Sequence, residues 1–475
     1  MKRFLMDDDG TNFLNNLTDD ITGDIEQNVR ECSSAVTTVL VCSQAGFCFY
    51  PTARGTTCDQ RLPVLAAAHQ RGQDPLGMWL KAHKDAGREV FITCRMNDVH
   101  CPTETWNIPA IRRDDPNCIV GVDEVEQGKP SWMSYCLDYT HQQVREHMLA
   151  LIREQIERYS NMIDGFQLDW LRFPRHLSGS PAQVWEKREV ITEFTAEVRR
   201  MLDQTGRDIL LSARVPTSLA GCQAVGLDVQ SWTKLKLINM LVTCPFLTTD
   251  WQLPISEFRQ LIDDDSIPIY SGFDLGFGPQ VHYPESMRGI CTSLYEDKPD
   301  GLYLFNFPCW IERLAARPYH WLTGLDDPST AAIKPLVLSV NHQRSRQHCD
   351  LPALIPVTIA AGASFTLPVR VPAAALPSWR ALVHVETTGG DIHLQLGSSC
   401  EVHTPREGDA GNACRSEVFI EFVNHYRPKS LRGVPENCRQ FEIHASKLTP
   451  GINDLVFINP GSSPVQLQRF NLNIW

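Results

Sequence analysis

Eight short apolar runs recur along the first two thirds of the chain, most of them separated by stretches of helical periodicity. The runs are Arg3–Met6, Val36–Cys42, Glu89–Cys94, Ile163–Leu168, Ile209–Arg214, Ile238–Val242, Ile267–Ser271 and Leu302–Phe305. Helical patterns are read at Leu62–Ala86, His141–Tyr159, Val184–Gln204, Val229–Lys236, Ile255–Asp263, Pro284–Leu294 and Pro308–Leu322. Strand, crossover helix and parallel strand, repeated in this way, predict a (β/α)8 TIM barrel. An open doubly wound sheet is the alternative. Neither GxGxxG nor GxxxxGK[ST] opens the first helix, which weakens a nucleotide-binding reading.

After about Asp327 the grammar changes to Pro-rich joints and alternating runs such as SFTLPVRV, RALVHVET and NDLVFIN. Short strands with turn signals predict an all-β sandwich, jelly-roll-like. The expected division is a barrel over residues 1–326 and a sandwich over 327–475. The sandwich is either a carbohydrate-binding module or a rigid appendage on one flank of the barrel.

The strand ends carry the chemistry. Strand one ends in Asp7-Asp8-Asp9-Gly10, strand three in Arg95-Met96-Asn97-Asp98-Val99-His100, and strand four in Asp169 and Arg172. Strand five ends in Arg214, Asp250 comes after strand six, and strands seven and eight lead into Asp274 and Asn306. The strand starts carry far fewer polar groups, and barrels place chemistry at the carboxyl ends of their strands. Alternation puts Gly165, Gln167 and Asp169 on the lumen side of strand four and Phe166, Leu168 and Trp170 on the other. Asp169 is therefore the leading catalytic candidate, against the plainer reading that it caps a helix or pairs with an arginine.

Most glycosidases need two carboxyl groups across the scissile bond. Asp169 and Asp274, from strands four and seven, fit that requirement. Asp250 is a third candidate, and Asp8 and Asp9 form a fourth group unless DDDG is only a turn. Arg95, Arg172 and Arg214 point to the same mouth. They either support the carboxylates, the reading preferred for Arg172, or bind a carboxylate or sulfate on the substrate. Asn97, His100, Trp170 and Asn306 complete the expected substrate contacts. Two long connections, 43–61 and 101–139, are expected to shape a cleft. Trp106, Trp132, Trp170, Trp251 and Trp310 are either sugar-stacking rings or ordinary packing.

The segment IDGFQLDWLRFP resembles the strand-four signature of chitinase-like barrels, DGFDIDWEYP. Asp164, Gly165, Phe166, Asp169, Trp170 and Pro174 agree with it. The chitinase acid is replaced by Leu171, so a chitinase-type mechanism is rejected. The chain is more similar to the bacterial glycosyl hydrolase-like proteins of family ten. The match runs through Leu137-Asp138-Tyr139-Thr140-His141 with Val144-Arg145, then Leu168–Pro174, then Leu227–Trp232 and Ile238–Val242. Asn239 stands where that family has an aspartate. The resemblance covers roughly residues 80–310 and implies a (β/α)8 glycoside hydrolase acting on an oligo- or polysaccharide. A non-catalytic glycan-binding barrel is the rival, given the missing chitinase acid.

A net charge of −12 argues against a nucleic-acid partner. No apolar run approaches a membrane span. The sixteen cysteines are scattered without a CxxC pair, and Cys42, Cys94 and Cys244 sit in apolar runs like buried thiols. A reducing, cytoplasmic compartment is expected. Met1-Lys2-Arg3 is not followed by an apolar stretch of signal-peptide length. Cys349, Cys400, Cys414 and Cys438 leave disulfides open in the C-terminal part. With no HExxH and no HxH at strand one, no metal or cofactor is expected, although the aspartates of strand one would suit a structural calcium ion.

Overall fold

The computed structural model describes residues 3–58, 62–100, 108–121, 132–246, 248–262, 266–274, 282–307, 318–342, 351–397, 399, 401–407 and 437–475. The strands β1 (Arg3–Asp8), β2 (Thr38–Cys42), β3 (Glu89–Arg95), β4 (Gly165–Asp169), β5 (Leu210–Val215), β6 (Met240–Thr243), β7 (Ile269–Asp274) and β8 (Gly301–Phe305) pair in sequence order. Every pairing is parallel, and β8 returns to β1 to close the barrel. The open-sheet alternative is thereby excluded.

Helices cover the outside with corrections to the expected bounds. The stretch Leu62–Ala86 is two helices, Pro63–Gln70 and Pro75–Asp85. Gly72 takes a left-handed φ of 78° and Asp74 caps the second helix through Gly77 N. Val184–Gln204 likewise divides into Pro181–Glu186 and Glu189–Asp203. A helix at Ile21–Glu31 was not anticipated. It is strongly polar, and only Ile21, Ile25 and Asn28 are buried. Of the stretch Pro308–Leu322, residues 308–317 lie outside the described residues, and Tyr319–Leu322 is a 3-10 turn.

The lumen is built in polar layers. At its floor Arg3 forms two 2.8 Å contacts with Glu89, Thr38 donates to Glu89 at 2.6 Å, and Arg3 reaches the Tyr270 hydroxyl at 3.1 Å. Above it Gln167 accepts from Thr93 Oγ1 at 3.0 Å and donates to Ser212 Oγ at 3.2 Å. Asp164, at the foot of β4, accepts from Val90 N and pairs with Lys84, so it serves the strand.

Two facing antiparallel sheets follow the barrel. One is organised on the central strands Ala381–Thr388 and Val465–Ile474, the other on Ser364–Val371 and Gly451–Ile458. Phe457 and Phe470 meet across them with ring centroids 6.2 Å apart. The expected division at 326/327 lies in the connection between β8 and the first of these strands, Leu336–Leu338. That strand lies against the helix Pro284–Glu296. Gly289 approaches the Val337 carbonyl so closely that a Cβ there would sit 1.9 Å from its oxygen. Arg370 in the sandwich pairs with Asp297 at 2.6 Å.

Gly165 faces the Phe91 ring, and a Cβ there would lie 2.3 Å from ring carbons. Gly165→Ala is expected to destabilise the barrel by about 1–3 kcal/mol through overpacking. An unchanged urea midpoint would show that Phe91 has room to move.

Candidate active site

The register of the parallel sheet aligns Arg95, Asp169 and Arg214 side by side on β3, β4 and β5. All three are buried. Arg214 Nη1 lies 3.0 Å from both oxygens of Asp169, and its guanidinium stacks 3.6 Å above the Phe305 ring of β8. Asp169 Oδ1 also accepts from Leu171 N at 3.1 Å and Arg172 N at 3.0 Å, where the chain turns out of β4. Every one of these contacts donates to Asp169. The group is arranged as a charged acceptor.

Asp274 ends β7 and is buried. Its carbonyl accepts from Thr249 Oγ1 at 3.2 Å, and that hydroxyl is 2.6 Å from His282 Nε2. Cys244, whose Sγ lies 3.7 Å from Arg214 Nη2, is near both carboxylates. Burial pushes its thiol up to about 12, Arg214 opposes, and Asp274 and Asp169 both add to the rise. Both acids therefore act on one buried atom.

Asp7 is the residue that reading the sequence missed. It stands at the end of strand one beside Asp8 and Asp9, and nothing local in DDDG sets it apart from them. Lumen parity runs through Leu5 and Asp7, since Leu5 pairs in register with Tyr303. The Tyr303 hydroxyl lies 2.9 Å from Asp7 Oδ2 and 3.2 Å from Gln167 Oε1. The hydroxyl donates to Asp7, which favours the ionised carboxyl, and burial outweighs that contact. Burial pushes the Asp7 carboxyl up to about 7, with Asp169 adding and Arg214 and Arg95 opposing.

The other arginines differ from expectation. Arg95 Nη1 donates to Asp98 Oδ2 at 2.8 Å, and Nη2 lies 3.6 Å from Asp9. Asp98 also faces His100 Nδ1 at 2.6 Å. Burial works against the Asp98 carboxylate, but His100, Arg95 and Arg172 hold it well below the usual range. The ion pair with Asp169 comes from Arg214; the Arg172 side chain makes no salt bridge among the described residues and favours the Asp98 carboxylate through its field. Arg172 Nη2 meets His100 Nε2 at 2.7 Å.

Several expected contacts are structural. Trp170 is fully buried on the helix side of β4, against Tyr139, His176, Phe194 and Trp232, so it cannot stack on a ligand in the lumen. The alternation along β4 already required this. Asn97 is consumed by the long loop: its amide reaches the Leu137 and Arg175 carbonyls and His176, and its oxygen accepts from Leu137 N. Trp251 is buried beside His282. Asp250 is buried in the loop after β6. Asn306 follows β8 with a φ of 60°, and its Oδ1 has no partner among the described residues. Trp132 is half exposed near His100 and Phe173. Trp106 and Trp310 lie outside the described residues, as do Cys349, Cys400 and Cys414. Cys42, Cys94 and Cys244 are buried free thiols. Among the described residues no cluster of three or more His, Cys, Asp or Glu is placed to share a metal ion, and no helix is long and apolar enough to cross a membrane.

Two outcomes follow from this geometry. Arg214→Met leaves Asp169 buried without its cation and should cost about 3–5 kcal/mol in denaturant unfolding, because the remaining charge is uncompensated. A native-like midpoint would show that Asp169 does not need Arg214. For Asp7, the folded value lies above the unfolded value of 3.8. The stability contributed by its proton is present below that value and lost as pH rises through about 7. Asp7→Asn should therefore melt progressively higher than the parent from about pH 4 to about pH 8. A difference that does not change with pH would remove the buried proton.

The sequence matches no family model and no curated protein. Among solved structures the chain is similar to a bacterial fucosidase with a bound inhibitor, at 12% identity over 94% of this chain and 82% of that one, with a TM-score of 0.39. It is also similar to an alpha-amylase from Lactobacillus plantarum, at 11% identity over 98% of each chain, with a TM-score of 0.41. A GH113 beta-1,4-mannanase aligns with 65% of this chain and 88% of its own at 12% identity, with a TM-score of 0.38. At these scores the overlaps carry no argument, and the barrel rests on its own strand pairing.

Proposed function

We propose that the mouth of the barrel is the active site of a glycoside hydrolase acting on an oligo- or polysaccharide. The observation that carries this reading is the set of buried carboxylates at the ends of β1, β4 and β7, with Asp169 held by Arg214 and both Asp169 and Asp274 acting on the Cys244 thiol. Glycoside hydrolysis asks for one charged carboxylate at the sugar and one acid that gives a proton to the leaving oxygen. Asp169, which only accepts hydrogen bonds here, suits the charged role as nucleophile or base. Asp274 is its partner across the mouth, and Asp7 holds a proton near neutral pH beneath them. The resemblance of strand four to the glycosyl hydrolase-like family supports the same reading. The finer expectation, a glycan bearing carboxylate or sulfate groups, rests on the arginines of the mouth. Residues 1–326 are assigned to catalysis and 327–475 to an accessory role beside the barrel.

The test uses the full chain and a panel of reducing-end-labelled oligosaccharides. Asp169→Asn is expected to lower kcat by at least about a hundredfold with little change in affinity, and Asp274→Asn to do the same. Turnover in the parent that survives both substitutions removes the carboxylate pair. Affinity without any turnover in the parent favours the non-catalytic glycan-binding barrel instead.

A further inference from the structure

Of the three arginines at this mouth, two are answered by carboxylates. Arg214 grips Asp169, and Arg95 holds Asp98 with Asp9 nearby. Arg172 is different. It is buried, its Nη2 is spent on His100, and its Nε and Nη1 have no hydrogen-bond partner among the described residues. Around it stand the rings of Phe173, Phe246 and Phe305, at 5.1, 5.9 and 5.7 Å. Phe305 is the same ring that carries Arg214, so Arg172 lies beside the cation that holds Asp169. Buried donors are nearly always satisfied, and unsatisfied ones call for a specific reason.

His100 sets how this guanidinium is held. Arg172 can only donate, so His100 Nε2 must accept and carries no proton. The ring proton then sits on Nδ1, facing Asp98 Oδ1 at 2.6 Å. Asp98 is fixed in turn by Arg95 at 2.8 Å and by the His100 backbone N–H at 3.2 Å. A relay from Arg95 through Asp98 and His100 thus orients one edge of Arg172 and leaves the other nitrogens unspent. The His100 ring is 4.9 Å from Phe173 and 6.1 Å from Trp132, which is half exposed. An apolar ring open to solvent therefore adjoins a buried cation with unused donors. Burial, and the neighbouring Arg95 and Arg214, pull the Arg172 value down, against Asp98 and Asp9.

We propose that Arg172 is the specificity-determining residue of this mouth: it takes the carboxylate or sulfate substituent of an anionic glycan whose sugar ring stacks on Trp132. The assignment rests on the glycoside reading above for the identity of the ligand. The oxyanion supplies the acceptors that Arg172 lacks, and a guanidinium suits both planar and tetrahedral oxyanions. The Asp98–His100 pair acts as a positioning device.

Binding, rather than turnover, tests it. The full-length Asp274→Asn protein, which keeps the Asp169–Arg214 pair, is titrated calorimetrically at low salt with three size-matched oligosaccharides: neutral, uronate-bearing and O-sulfated. One anionic sugar is expected to bind at least about tenfold tighter than the neutral one, since charge-assisted hydrogen bonds are the strong class. Which one does so separates carboxylate from sulfate. Adding Arg172→Gln should bring the anionic sugar to the neutral level and leave the neutral sugar within about twofold. Arg172→Lys, which keeps the charge and loses the fork, should retain part of the preference. Trp132→Ala, at an exposed position, should weaken all three alike. Equal affinity for neutral and anionic sugars, no binding of any, or a preference that survives Arg172→Gln overturns the proposal. Hydrolysis by the parent chain is assayed separately. Anionic preference without hydrolysis keeps the Arg172 site and removes the hydrolase. Hydrolysis without anionic preference does the reverse.

Discussion

The pairing of Asp169 with Arg214 is the constraint around which the mouth is arranged. Both side chains are taken entirely out of water, which is expensive for either alone. The cost is offset by two contacts from one guanidinium nitrogen, two backbone N–H groups from the turn after β4, and the Phe305 face beneath the cation. Each part comes from a different strand end. The tips of β4, β5 and β8 are thereby fixed relative to one another. Asp7 and Cys244 sit in a field to which both members of this pair contribute.

Around that pair the polar groups divide their work. Much of what carries the family resemblance is a clasp for the long loop between β3 and the helix Gln142–Tyr159. Tyr139 donates to the Met96 carbonyl at 2.7 Å, Arg145 reaches the Tyr139 and Thr140 carbonyls, and His176 meets the Trp170 carbonyl at 2.7 Å. Asp228 caps the helix Val229–Lys234 through Ser231 N. Asn239, in place of the family's aspartate, accepts from Leu211 N at 2.7 Å and Arg199 at 3.0 Å. An acceptor is what that position uses, and an amide oxygen supplies it. The residues left facing the hollow are the ones that clasping does not consume.

The barrel was legible because period-two and period-3.6 patterns are local, and each strand announced itself within a residue or two of its bounds, except that β7 runs three residues further, to Asp274. Asp169 was legible for the same reason: once β4 is a strand, alternation decides its side. The same rule placed Trp170 among the helices, and naming it a sugar contact went against it. Asn97 could not be sorted this way, since its partners Leu137, Arg175 and His176 come from a loop whose path no local pattern dictates. The Ile21–Glu31 helix was hidden because so little of its surface is buried. Which arginine serves which carboxylate depends on register between neighbouring strands, and one strand read alone does not contain it. Asp7 belongs to this class, since the groups that act on it, Tyr303, Arg214 and Asp169, come from β8, β5 and β4.

The ionic floor made by Arg3 and Glu89 has a further consequence. It corks the narrow end of the hollow, with Thr38 and Tyr270 bracing the cork. Asp7 and Tyr303 lie further toward the strand ends, so one ion pair braces the floor of the hollow and a second, Arg214 with Asp169, braces the strand ends above it.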